Sequence, residues 1–432
     1  KVQEKEFSAS RNEAVANAPN AAARKKLIRR LKETDTNLFT LFRSAKRGSE
    51  KTSAILRNGG MYPLCGRGDI NTYQVFAELN RLLINNQVRV GCIVPSGIAT
   101  DHTTRFFFQE LVKTKTLVSL YDFENRKKIF PGIDSRIKFC LLSMSGTESP
   151  VEEAQFVFFA HQTSDLRDQD RRFTLSPEDI KRLNPNTLTC PIFRSSRDAE
   201  ITKGIYERVP VLINENDPEN GNPWGIKFMA MFHMSNDSHL FRTREQLEAD
   251  GWHLEKNIFY KGDDKYLPLY EAKMIHHYNH RFGDYADLPP GSKSTQLPEV
   301  PVERLRDPNY EPMPRYWVPE EEVESRLKQA GWEHDWLLGW RDICRSTDER
   351  TVILSLFPRV GVSNKMPLVL SKRSTNEILC LSSYLSSFVF DYVARQKIGG
   401  TSMNFYLLTQ LPVLTPDYLE VSLQWRSEAI SI

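Results

Sequence analysis

Cysteine pairs at metal-ligand or redox spacing are missing from this sequence. Its six cysteines, Cys65, Cys92, Cys140, Cys190, Cys344 and Cys380, lie far apart with no C-x-x-C pair. Neither a zinc site nor a disulfide framework is indicated, and a reducing cytoplasm is the expected location. No apolar run reaches the roughly eighteen residues a membrane-spanning helix needs. Charge of one sign is also missing: 58 Lys and Arg against 55 Asp and Glu give +3. Bulk electrostatics therefore do not point to nucleic acid, since phosphate contacts need local rather than average positive charge. There is no internal repeat, no low-complexity tract, no signal-peptide pattern and no initiator methionine before Lys1, so a piece of something longer is expected. What is present is 432 residues, 40% apolar and 26% charged, enough for two or three globular domains.

Residues 1–60 are polar and helix-prone. Asn20 to Lys32 puts Leu27, Ile28 and Leu31 on one face amid basic residues, which reads as a solvated helix face or as a phosphate-contacting stripe. Asp69 to Leu83 reads as an amphipathic helix with Tyr73, Phe76, Leu79, Leu82 and Leu83 as its apolar stripe. Val88 to Val94, Leu117 to Phe123 and Phe139 to Met144 read as strands, and Thr104 to Lys113 as a helix between the first two. Apolar strands separated by helices predict a mostly parallel sheet covered on both faces, half of an α/β domain. Beyond residue 150, short segments and prolines dominate. Ser176 with Asp179 and Thr243 with Gln246 mark helix starts. Leu288 to Pro319, with eight prolines, predicts a surface loop or linker. Glu320 to Ala330 and Thr375 to Gln396 predict helices, the latter the spine of a small subdomain, with strand-like runs at Thr351 to Phe357 and Leu368 to Leu370.

Between Gly66 and Met144 several elements occur in a fixed order: Asn71, Tyr73 and Phe76 opening a helix, Val94-Pro95 ending a strand, and Phe130-Pro131 before a final strand. This order resembles the second half of the catalytic domain of gamma-class adenine-N6 DNA methyltransferases, the TaqI-like enzymes and large type IIG and defence-island methylases. The resemblance implies the C-terminal half of a class I, Rossmann-like S-adenosylmethionine-dependent domain, followed by a mixed α+β target-recognition region. Methylating an adenine within a duplex requires rotating it out of the stack onto an aromatic face. By resemblance Phe130 is that face, Phe76 packs on the adenine ring of S-adenosylmethionine, and Asp69, Asn71 and Tyr73 lie near the same cofactor. Read from the residues alone, Phe76 and Phe130 are equally core aromatics, and Asp69 and Asn71 turn and cap residues.

The family's Asn/Asp-Pro-Pro-aromatic tetrapeptide and its upstream Gly-rich cofactor turn are absent. Gly221-Asn222-Pro223-Trp224 has one proline, falls after the last expected catalytic strand, and reads as a turn. The chain alone is therefore expected to be inactive, with the N-terminal half of the methyltransferase as its partner. Residues 1–60 are expected to follow the missing motif, 61–150 to complete the catalytic domain, and 151–432 to read double-stranded DNA, with a TaqI-like specificity subdomain from about 341. Blocks around Arg194 and Arg197, Asn236, Lys273 and His276, and Arg345 resemble those of the large methylases, and their side chains suit base edges and phosphates.

The resemblance implies a restriction-modification or phage-defence system, with a nuclease domain or subunit elsewhere left open. Two rivals stand beside it: a non-catalytic DNA-binding specificity module, and a magnesium-dependent nuclease built on Glu271 and Lys273 with Asp250, Asp263 or Asp264. His276, His277 and His280 invite a metal reading, but helical spacing puts only His276 and His280 on one face, and no metal is expected.

Overall fold

Helices at the start of the chain form because apolar residues recur every three or four positions in otherwise polar sequence. The computed structural model describes residues 2–18, 21–289, 296–420, 422–425 and 428–431, in two compact units, Lys1–Thr163 and Ser164–Ile432. In the first, α1 (Glu4–Ala9), α2 (Glu13–Ala16), α3 (Ala21–Thr34) and α4 (Thr36–Asn58) come in succession. Asp35 caps α4 by accepting from the Leu38 amide at 2.9 Å. Val15, Ile28, Leu31, Leu38 and Phe42 make a small core, with Leu27 against it. The predicted inward face of α3 is thus the observed one, while Asn20, where that helix was expected to start, lies outside the described residues.

After α5 (Thr72–Leu83) come β1 (Arg89–Pro95), α6 (Gly97–Thr100), α7 (Arg105–Lys113), β2 (Leu117–Glu124), β3 (Lys138–Ser145) and β4 (Ala154–Ala160). The expected strands and helices are all there, but the sheet is not mostly parallel. β3 lies antiparallel between β1 and β2, with Pro95 opposite Phe139 and Glu124 opposite Lys138, and β4 runs parallel to β2. The reason is the connection: 125–137 holds a single 3-10 turn, Asn125–Lys127, and without a crossover helix the chain returns antiparallel. α6 and α7 make β1 and β2 parallel to each other. Phe107, Phe108 and Leu111 of α7 and Leu120, Phe123, Leu142 and Phe156 of the strands are buried, each large side chain contributing about 1.5–3 kcal/mol by leaving water.

Helix α5 is rotated relative to its sequence pattern. It buries Gln74, Val75, Ala77 and Glu78, whereas Phe76, Leu82 and Leu83 are 61%, 51% and 74% exposed. Glu78 sets this orientation: its carboxylate accepts the amides of Leu64 at 3.1 Å and Cys65 at 2.7 Å, which pulls its face inward. β1, the next element, is the end strand of its sheet, and Val88 and Ile93 are exposed. An apolar stripe and an unpaired strand edge therefore adjoin in sequence on the first unit.

In the second unit β5 (Phe173–Leu175), α8 (Pro177–Leu183), α9 (Ser196–Tyr206), β6 (Lys227–Met229), α10 (Arg244–Ala249), β7 (His253–Glu255), β8 (Ile258–Lys261) and β9 (Asp264–Tyr270) come first. Then follow α11 (Val302–Leu305), β10 (Trp317–Pro319), α12 (Glu320–Ala330), β11 (Trp336–Trp340), β12 (Leu354–Pro358), β13 (Gly361–Val362), β14 (Leu368–Leu370), α13 (Thr375–Leu385) and α14 (Phe388–Arg395). One sheet has the order β10-β9-β8-β7 with β13 beside β9, and another the order β12-β11-β14-β6. The architecture is mixed α and β with several sheets.

Two sequence expectations need correction here. The proline-rich 288–319 stretch is not all loop: it contains α11 and ends in β10, whose Trp317 is buried against Phe259 and Leu247 and donates its indole N–H to Asn257 O at 2.8 Å. Pro290 to Thr295 lie outside the described residues. The single helix expected over Thr375 to Gln396 is two, because Ser387 takes an extended backbone and accepts the Phe390 amide as the cap of α14. Asn222 closes the turn expected at Gly221 to Trp224, its side chain bonding both ways with the Ile226 backbone at 2.9 Å.

Candidate functional site

In open α/β sheets, ligands are met beyond the carboxyl ends of parallel strands, and here β1, β2 and β4 run in the same direction. For the first unit this is the end formed by Pro95, Glu124 and the start of β3 at Lys138. A polar cluster is built there. Asp122, near the end of β2, is almost fully buried; it accepts a short hydrogen bond from the Ser96 hydroxyl and the Phe159 amide at 3.2 Å. Burial pushes its carboxyl above the ordinary aspartate range, opposed by the Lys138 ammonium and the hydrogen bonds from Ser96 and Phe159. Phe159 has φ of +57°, a conformation a bulky residue adopts at a cost of about 1–3 kcal/mol. It sits where the β2–β4 register shifts, so its amide turns onto Asp122, and Lys138 Nζ lies 4.2 Å from its ring centroid.

Glu124 continues the cluster. It lies 3.2 Å from His161, 3.6 Å from Lys138 and 2.7 Å from Arg126. Burial raises its carboxyl, but the hydrogen bond from His161 and the cations together hold it below the usual range.

Phe130 belongs to the same strand end, on the β2–β3 loop. Asn125, fully buried, holds this loop from inside: its amide nitrogen donates to the carbonyls of Phe130 at 2.9 Å and Ile133 at 3.1 Å, and its oxygen accepts the Phe130 amide at 2.9 Å. The Phe130 ring is 38% exposed and stands edge-on to Phe139 at 4.9 Å, which stacks on Phe123 at 5.3 Å. It is neither a core ring nor a loose one.

The segment leading into α5 meets the segment after β1. Gly68 approaches Thr103, and Arg67 lies over the Phe106 ring at 4.2 Å. Tyr73, half-buried, has its hydroxyl pushed up by burial, with Asp101 among the charges acting on it. The Asn71 backbone N–H donates to the Gln74 side-chain oxygen at 3.1 Å, the return bond of a capping box at the start of α5. Asp69 and Asn71 line a cavity of about 600 Å³ that also touches Lys25, Lys46 and Arg57. Phe76 projects from the open face of α5.

Ser96, Asp122, Asn125 and Lys138 were not singled out from sequence. The available signal was the pair of carboxylates, Asp122 and Glu124, at the end of an otherwise mostly apolar strand.

The second unit gathers some of its candidate DNA-contacting residues and separates others. Around Cys344 to Arg350, Arg194 reaches Ser346 Oγ at 3.3 Å, and Arg345 pairs with Asp348 at 3.3 Å. His276 lines a cavity of about 200 Å³ with Arg341, Asp348 and Arg350; burial and the Arg341 guanidinium lower its pKa. Exposed Ile343 and Phe388 flank this region, the latter under Arg350 at 4.8 Å. Arg197 instead pairs with Glu200 on α9. Exposed Asn236 sits on a turn held by Asp237, which accepts from the His233 amide and pairs with Arg326. Lys273 lies 3.7 Å from Glu271 and over Tyr285 at 5.0 Å.

The chemistry expected of the Glu271 block does not assemble. Tyr285 donates to Glu271 at 2.5 Å, and Asp264 stands at the opposite end of β9 from it, about 20 Å away at the rise of an extended strand. Asp250 is held at that far end by Lys261, so the pairing proposed for a magnesium nuclease fails on distance. His276 to His280 are not helical: the 3-10 turn stops at Met274, and His276 bridges to Asn279. Among the described residues no group of three His, Cys, Asp or Glu could hold a metal ion, and no helix is long and apolar enough to cross a membrane.

No protein-family model and no curated protein matches the chain. Among solved structures it is similar to the type IIG restriction endonuclease BpuSI, with 13% identity, 83% of this chain and 43% of that one covered, and a TM-score of 0.30. The likeness is distant, and the chain spans less than half of BpuSI.

Proposed function

We propose that this chain supplies one wall of the methyl-donor and adenine pockets, together with the target-recognition region, of a site-specific DNA adenine-N6 methyltransferase in a restriction-modification or phage-defence system. One observation carries the reading: α5 leaves Phe76, Leu82 and Leu83 open to solvent, next in sequence to the unpaired edge of β1. Isolated apolar side chains on a surface need no explanation, but an exposed apolar helix stripe followed directly in the chain by the end strand of a sheet marks a surface for another element. The sequence resemblance names that element, the other half of the same catalytic domain.

S-adenosylmethionine, when bound, supplies the methyl group. Phe76 offers an apolar ring for its adenine, and Asp69 and Asn71 line a cavity beside α5 where the polar part of the donor would be met. Phe130, half-exposed and fixed by Asn125 and Phe139, offers a face for an extruded base. In the second unit, Arg194, His276 and Arg345 converge as the candidate DNA-reading group, while Arg197, Asn236 and Lys273 lie outside it.

Co-expression with a segment carrying the cofactor turn and the Asn-Pro-Pro-aromatic motif tests this, with N6-methyladenine in duplex DNA as the readout. Methylation is expected only from the pair, and F130A is expected to reduce it about tenfold to a hundredfold, the worth of one base-stacking aromatic. Full activity of F130A, or no association of the halves, would discard the reading.

A further inference from the structure

The chain's positive charge is concentrated in one place. Residues 21–58, spanning α3 and α4, contain eleven Lys and Arg against Glu33, Asp35 and Glu50, a surplus of eight where the whole chain has +3. Lys25, Arg29, Arg43, Lys46 and Arg47 line an open groove between these helices of about 970 Å³, with Phe39 and Phe42 in its wall. All five cations are exposed. Glu4 and Glu50 also line it, but among the described residues the one ion pair is Lys46 with Glu50, long at 3.9 Å. Arg24, by contrast, is committed to the Val15 and Ala18 carbonyls. The groove shares Glu4, Lys25, Phe42, Lys46 and Glu50 with the cavity that reaches Asp69 and Asn71; there Lys25, Lys46 and Arg57 are matched by Glu4, Glu50 and Asp69, so the positive surplus belongs to the groove itself.

We propose that this groove binds the phosphate backbone of duplex DNA independently of sequence. The inference rests on the reading of the chain as DNA-directed. Cations about one helical turn apart, roughly 5.4 Å, on two facing helices suit a linear polyanion better than a single phosphate. Phe39 and Phe42 belong to the small core beneath the groove, so its floor is packed and the exposed cations supply the contacts to phosphate.

The test is fluorescence anisotropy of the full chain with a labelled random-sequence duplex across a salt series, without methyl donor. The triple variant R29Q/R43Q/R47Q is compared with K26Q/R30Q/K32Q, which removes as many exposed charges from α3 outside the groove. Glutamine keeps helix propensity close to that of the cations, and circular dichroism checks that α3 and α4 persist. Each phosphate contact contributes about 0.9 to the slope of log affinity against log salt. The groove variant is expected to lose about two to three from that slope and at least about tenfold in affinity, equally on every sequence. The off-groove variant is expected to stay within about threefold of the parent chain. Unchanged binding by the groove variant, equal losses in both variants, or a loss confined to one sequence would overturn the proposal. F130A, which tests the pocket, is expected to leave this slope unchanged, so either reading can fail without the other.

Discussion

Asp122→Asn isolates what the buried carboxylate contributes, because the side chain keeps its size and loses only its ability to ionise and one acceptor. Asp122 receives the Ser96 hydroxyl and the Phe159 amide; in the variant one amide edge is a donor, so one of those donors is left unpaired at a cost of about 1–3 kcal/mol. That cost is expected at acid pH, where the parent carboxyl is neutral in both folded and unfolded chains. Burial raises the folded carboxyl above its unfolded value, so the folded state holds its proton longer as pH rises. The stability so gained is complete below the unfolded value and is lost as pH climbs through the folded one. The asparagine has no such loss. The gap between parent and variant is therefore expected to narrow from pH 4 upward.

The assay follows from the distribution of tryptophan: all seven, Trp224 through Trp425, lie in the second unit. Indole fluorescence should report an unchanged urea transition for the second unit. Amide exchange in β2 and β4 should report the pH-dependent change in the first. A gap constant with pH would mean that Asp122 titrates alike folded and unfolded. A gap that widens would mean that Lys138 holds the carboxylate charged, and would refute the argument from burial.

Two further outcomes test the scaffold. Asn125→Ala removes four hydrogen bonds inside the Phe130 loop; trypsin is expected to cut at Arg126 to Lys128 several-fold faster, read by mass spectrometry of timed digests, since local opening there loses about 1–3 kcal/mol of restraint. An unchanged digest would show that the loop is held elsewhere. Ser387→Ala removes the cap of α14 and is expected to lower the urea stability of the second unit by about 1 kcal/mol; no change would return the 375–396 stretch to a single helix.

Much of this molecule is legible in its residues, and the failures share a cause. Caps at Ser176 and Thr243 and the strands at 89–95 and 117–124 are local signals, written in neighbouring residues. What sequence reasoning misses is set by partners distant in the chain. Helix α5 faces the wrong way for its apolar pattern because Glu78 is satisfied by the amides of Leu64 and Cys65. β3 reverses because its connection lacks a helix, and β10 hides among prolines because Trp317 packs on Phe259. Phe130 at the strand end and Asn71 at the start of α5 stood out through a family pattern, whereas Asp122 and Lys138 matter through contacts that no spacing encodes.

The carboxylate of Glu78 has one more implication. Because it fastens α5 to the 64–65 backbone, the outward stripe of that helix is already oriented before any second polypeptide arrives. An incoming half would meet a rigid template, so little ordering entropy would be lost on this side at docking. In the two-part enzyme proposed above, loosening the Glu78 anchor should slow docking even though Glu78 itself is buried away from the exposed stripe.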